Sequence, residues 1–190
     1  MAHRANLAAL LQRPNAAAMP PLPALALPSW RRAFLALAVA LLAQTTVLHD
    51  VHVRGGTISF VLLVVLWFAA SAGAARGAFF GLIAGACEDA ISGGTGAAWT
   101  VATPLAAALA ARAVRAIGWD HPLFLGAVTA FAAFARTIVF WLVLQAERTT
   151  PNLDTPAVHA ALWSAALDAA VAIVLTATLR GLRPPRVERV

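Results

Sequence analysis

An all-helical membrane bundle is the fold class this sequence predicts, and three observations carry it. The chain is 61% hydrophobic over 190 residues, with a mean hydropathy of +0.79. A soluble domain of this length cannot hide that much apolar surface. The apolar residues fall into six segments whose joints do not exceed about ten residues, which leaves no room for a soluble catalytic domain. All fourteen basic residues are Arg, and they cluster at the ends of apolar segments, as expected beside an anionic cytoplasmic leaflet. That placement argues against nucleic acid as the reason for the net charge of +6.

Residues 1–32 read as a flexible Ala/Pro-rich cytoplasmic lead, with Pro20, Pro21, Pro23 and Pro28 breaking any apolar run. A secretory signal does not fit such an interrupted core. Residues 33–180 read as a transmembrane domain of six helices, and 181–190 as a basic cytoplasmic tail. The segments run over 33–48, 57–75, 77–91, 96–111, 122–146 and 157–179. A span needs about 20 apolar residues, so the first, third and fourth are a little short. The third and fourth are joined by the turn signal Ser92-Gly93-Gly94-Thr95-Gly96. They form either a spanning hairpin or a re-entrant pair, and spanning is the preferred reading.

With the N-terminus inside, the cytoplasmic side holds Arg4, Arg13, Arg31, Arg32, Arg76, Arg112, Arg115, Arg180, Arg183, Arg186 and Arg189. The outer loops hold only Arg54 and Arg148. This asymmetry implies six spans with both termini cytoplasmic, a multi-pass protein of the cytoplasmic (inner) membrane. Trp30, Trp119 and Trp163 lie near segment ends, where indole rings anchor at the interface. The lone Cys87 lies in an apolar segment, reads as a small buried hydrophobe and excludes an intrachain disulfide.

Glycines recur every fourth residue at Gly77, Gly81, Gly85 and Gly93, with Asp89 filling the gap. On a helix such residues stack into one smooth ridge, and small residues at that spacing let backbones approach closely. Asp89 closes the ridge beside the turn that contains Gly96, where it can accept from the free amides of the next helix. Ala160, Ser164, Asp168, Ala172 and Thr176 form a second such row in the last segment.

Four ionisable residues fall inside spans: Glu88, Asp89, Arg136 and Asp168. Such residues pair with one another or mark a functional site. At 1.5 Å per residue, Arg136 lies about 21 Å, and Asp168 and Glu88 about 17 Å, from the cytoplasmic helix ends. Arg136 can therefore neutralise one or both of these acids in a buried polar cluster that fixes helix register or binds a partner or solute.

Catalytic signatures are missing. A phosphate loop needs the lysine this chain lacks. The histidines His3, His49, His52, His121 and His159 lie in loops or at ends, and the His49-Asp50-His52 group falls short of the three or four ligands a metal wants. Asp89 and Asp168 lack the flanking motifs of a membrane aspartyl protease. The expectation is no enzyme, no catalytic or metal residues and no cofactor.

The stretch GLIAGACEDAISGGTGAAW, with VLLVVLWFAASAGAARGAFF before it, resembles the MreD family of bacterial rod-shape-determining membrane proteins. Gly81, Gly85, Asp89, Ser92, Gly93 and Gly96 match the family's third helix and turn, and Thr137-Ile138-Val139-Phe140-Trp141 resembles its fifth span. Glu88 before the expected acid, Arg136 within the fifth span and the long lead depart from the family pattern. The resemblance implies a non-enzymatic scaffold of the cell-elongation machinery, the elongasome, which governs cell shape and peptidoglycan synthesis. Its partners would be membrane lipid, an MreC-like scaffold, a rod-type glycosyltransferase and transpeptidase, and indirectly the actin-like MreB. The rival reading is the substrate-binding subunit of an energy-coupling-factor vitamin transporter. Ala36 and Ala40 give the small-residue spacing such a subunit uses for docking, but the outer loops are poor in aromatics.

Overall fold

A computed structural model describes residues 29–46, 53–93, 95–117, 122–147 and 155–181. They form six helices: α1 (Trp30–Thr46), α2 (Phe60–Ala72), α3 (Ala74–Ser92), α4 (Ala98–Ile117), α5 (Pro122–Ala146) and α6 (Thr155–Gly181). The described residues hold no strand, only one antiparallel bridge between Val53 and Gly56. The lead up to residue 28, the tail from 182, His49, Asp50, His52, Trp119, His121 and Arg148 lie outside the described residues. Residues 30–32, read as the end of the lead, are instead the first turn of α1.

The joint between the second and third segments also differs from the reading above. The chain breaks at Gly73, not near Arg76, and Gly73 has φ +99°, a conformation that an L side chain resists. Its N–H still donates to the Ala69 carbonyl, and its own carbonyl receives the Gly77 N–H, so both backbone groups of Gly73 are engaged at the bend. The early break leaves α2 only 13 residues long.

That short helix is the hub of the bundle. It touches each of the other five, and Val61, Leu62, Val65, Leu66, Phe68 and Ala69 are buried along it. One side joins Ala33, Leu37, Phe80, Ala84, Ala107 and Ala111 in a core between α1, α3 and α4. Its other side joins Ala106, Ala110, Val114, Val128, Ala132 and Ala165 in a core between α4, α5 and α6. Alanine supplies most of these contacts, which brings the helix backbones close together. At one end Trp30, Phe34, Phe68 and Phe80 form a ring cluster, with Phe68 and Phe80 centroids 4.6 Å apart. Aromatic pairs of this kind add specificity to area burial.

By length and composition, two of the described helices can cross a membrane: α5, with a mean hydropathy of 2.0, and Thr155–Thr178 of α6, at 1.8. The others fall short for physical reasons. With 17 and 13 residues, α1 and α2 are shorter than a bilayer core is thick. Arg76, Glu88 and Asp89 dilute α3, and Arg112 and Arg115 dilute α4.

Candidate functional site

The α3–α4 pair is the most closely packed in the bundle, and the glycine row is the reason. A Cβ added at Gly81 would lie 3.0 Å from Pro104 Cα and 3.1 Å from the Thr103 carbonyl oxygen. At Gly85 it would run into the Trp99 carbonyl and lie 2.9 Å from Thr100 Cα. Gly77 faces another way, onto Ala69 of α2. Three glycines therefore seat α3 against its own neighbours. Gly93 departs from the ridge reading: it caps α3 in the left-handed conformation, φ +65°, and a Cβ there would meet nothing within 4 Å. It serves the turn, where positive φ favours glycine. Gly96 lies in the same turn, against the carboxylate of Glu147 at the end of α5.

Asp89 closes this hairpin. Its Oδ1 accepts from the Thr95 hydroxyl at 2.8 Å and the Trp99 N–H at 3.1 Å. Its Oδ2 accepts from the Thr100 N–H at 2.8 Å and the Thr100 hydroxyl at 2.7 Å. Helix α4 begins at Ala98, after Ala97, which has no side-chain acceptor to cap it. Asp89 supplies the missing acceptor from another helix, where the dipole of α4 favours a negative charge.

The adjacent residue Glu88 turns elsewhere. It is buried and forms an ion pair with Nη2 of Arg136 on α5. Arg136 Nε donates to the Thr103 hydroxyl at 3.0 Å, and Nη1 donates to the Ser59 hydroxyl at 3.1 Å. The guanidinium carbon lies 4.2 Å from the centroid of the Trp99 ring. Each nitrogen of the guanidinium is thus engaged, as a buried cation requires.

Asp168 on α6 belongs to the same neighbourhood but has no ion-pair partner among the described residues. Its Oδ1 accepts the Ser59 N–H at 2.8 Å. Ser59 is therefore the bridge: its hydroxyl meets Arg136 and caps α2 by accepting the Leu62 N–H at 3.2 Å, while its amide meets Asp168. The row on α6 holds the chain that leads into α2. Ser164 Oγ accepts the Thr57 N–H at 2.9 Å, and a Cβ on Gly56 would lie 2.7 Å from Ser164 N.

These groups line a cavity of about 530 Å³ to which all six helices contribute. Its walls come from the C-terminal ends of α1 and α3, the N-terminal ends of α2 and α4, the middle and C-terminal part of α5 and the N-terminal half of α6 as far as its midpoint, Asp168. The cavity thus reaches from one end of the bundle to its middle, and Arg31, Arg32, Arg76, Arg112 and Arg115 lie toward the other end. Glu88, Arg136, Asp168, Ser59, Gln44 and Ser164 give it polar walls, and Trp99, Phe140 and Trp141 give it aromatic ones. The described residues include no group of three or more His, Cys, Asp or Glu able to hold a metal ion.

Sequence reasoning missed Ser59, Thr103, Trp99 and Gln44. Ser59 had a signal, because a serine just before an apolar run is a helix cap. Thr103, before a mid-helix proline, and Trp99 and Gln44 had none.

These features describe an all-helical protein with two helices able to cross a membrane and a cavity lined by buried charges that reaches into the middle of the bundle. No family model, curated protein or solved structure matches the chain.

Proposed function

We propose that this chain is a multi-pass protein of the bacterial cytoplasmic membrane, with six spans and both termini in the cytoplasm. Its role is that of a non-enzymatic scaffold of the cell-elongation machinery, as the resemblance to MreD implies. The observation that carries the membrane reading is a belt of exposed apolar side chains around the bundle. Leu35 and Leu42 on α1, Phe79 on α3, Leu105 on α4, Phe131 on α5 and Val174 on α6 are between 48% and 67% exposed. Large apolar side chains this exposed on five of the six helices suit a lipid surround better than water. The belt includes α1, α3 and α4, the helices that length and charge leave marginal, and this supports six spans over two. The arginine asymmetry supports the orientation.

The residues that carry the resemblance support the scaffold reading, since Gly81, Gly85, Asp89, Ser92, Gly93 and Gly96 all fall in one hairpin and its turn. The glycine ridge is used within the chain, so a partner helix would meet the exposed apolar faces of the belt instead. Partner chemistry is then that of transmembrane helices and lipid, in an MreC-like scaffold and the rod-type glycosyltransferase and transpeptidase, with MreB reached indirectly.

The cavity favours a second reading, the substrate-binding subunit of a vitamin transporter. Aromatic residues absent from the outer loops are supplied to the cavity by α4 and α5. Against it, Ala40 of the docking pair is 5% exposed and packs in the core. Depletion separates the two readings: the scaffold reading expects wide, rounded cells, and unchanged cell shape with loss of one vitamin's uptake would support the transporter. Reporter fusions after Arg13 and Arg183 should both report cytoplasm.

A further inference from the structure

The buried charges around the cavity do not balance. With both acids ionised, Glu88 and Asp168 carry two negative charges against the one positive charge of Arg136. Arg136 also offers a ligand little, because Glu88, Ser59 and Thr103 engage its three nitrogens and Trp99 lies against its guanidinium. An anionic ligand would find no unused cation here.

Asp168 is the opposite case. It is 2% exposed and lines the cavity, yet only one of its carboxylate oxygens has a hydrogen-bond partner among the described residues. A buried carboxylate oxygen without a donor costs free energy, and a donor bearing positive charge is the strongest remedy. The same cavity has an aromatic lining. Trp99 is taken up by Arg136 and by Phe140, which stacks on it with centroids 3.9 Å apart, and Trp141 meets Phe140 at 6.1 Å in a T-shaped pair. Ring faces attract cations and apolar bodies alike. The volume of about 530 Å³ lies in the range of small-molecule sites.

The geometry points to a binding site for a small organic cation: an ammonium or guanidinium group on an apolar body. Asp168 is its counter-ion, Gln44 and Ser164 are polar neighbours, and Phe140 and Trp141 pack on the body. The inference goes beyond both functional readings, since a scaffold would be regulated by such a ligand and a transporter subunit would carry it. It rests on the membrane reading only for the direction the cavity faces.

The test uses the full-length protein purified in detergent, with tryptophan fluorescence titrated by phenethylammonium, by neutral 2-phenylethanol and by anionic phenylacetate. A saturable change is expected with the cation alone. Asp168→Asn keeps an acceptor for Ser59 but should weaken binding about tenfold or more, the worth of a hydrogen bond to a charged group. Trp141→Leu, on the cavity wall, should weaken it several-fold, while Asp89→Asn leaves it unchanged. Equal response to the anion, undiminished binding by Asp168→Asn, or no saturable response to the cation would overturn the assignment. A chain that stays soluble without detergent would sink the membrane reading separately and leave the titration readable.

Discussion

Glu88 and Asp89 are adjacent in the chain yet belong to two regions built on different principles. Asp89 serves the α3–α4 hairpin, where four donors from Thr95, Trp99 and Thr100 fill both of its oxygens. Glu88 faces the cavity, where charges from α3, α5 and α6 meet around the cap of α2 and, among the described residues, one oxygen of Asp168 has no hydrogen-bond partner. The difference separates two uses of a carboxylate inside an apolar bundle. One whose hydrogen-bonding capacity is filled from a single hairpin fixes geometry and has nothing left to offer. One left half-filled beside a cavity is where a ligand can contribute.

The largest effect is expected at Arg136. Arg136→Leu strands Glu88 in the interior and removes the donor to Ser59, and losing one partner of a buried pair costs about 3–5 kcal/mol. We expect little folded protein after detergent extraction, and Glu88→Gln on the same background should restore part of it. Full recovery of Arg136→Leu alone would show that the pair is dispensable. On the hairpin side the largest effect belongs to Gly85→Leu, because the added side chain meets the Trp99 backbone and cannot displace it. Overpacking costs about 1–3 kcal/mol where neighbours can adjust, and a rigid backbone puts this site at the upper end. The same change at Gly93 serves as the contrast: space is open there and only the positive φ is strained, at roughly 1–2 kcal/mol. Denaturant titration of the two variants in one detergent should rank Gly85→Leu as the weaker fold.

Smaller again is Asp89→Ala. It leaves the Trp99 and Thr100 amides without their acceptor, a loss comparable to removing a helix cap, about 0.5–2 kcal/mol. Hydrogen exchange should rise at Trp99 and Thr100 while the core of α2 stays protected.

The hairpin was legible in the sequence because its signals are local. Residues four apart share a helix face, so Gly77, Gly81 and Gly85 declare a close approach before any partner is known. Gly93 has the same spacing but follows the helix end, and spacing alone does not show where a helix stops. The cavity was only partly legible. Glu88, Arg136 and Asp168 stood out as charges in apolar segments, and their similar depth suggested a meeting. What sequence could not supply was the short α2, which places Ser59 between Arg136 and Asp168 and lets all six helices enclose a space. That depends on the bend at Gly73 and on contacts between residues more than a hundred positions apart, such as Ser59 with Asp168.

Thermal unfolding of Asp89→Asn and Asp168→Asn, with and without saturating phenethylammonium, separates an acid that holds the hairpin, Asp89, from one that serves as a counter-ion, Asp168. A ligand that binds only the folded state raises its melting temperature. Asp89→Asn is expected to melt lower than the parent and keep the full ligand-induced rise, whereas Asp168→Asn is expected to melt near the parent and lose the rise. Equal loss of stability in both variants, with the same ligand response, would contradict that division of roles.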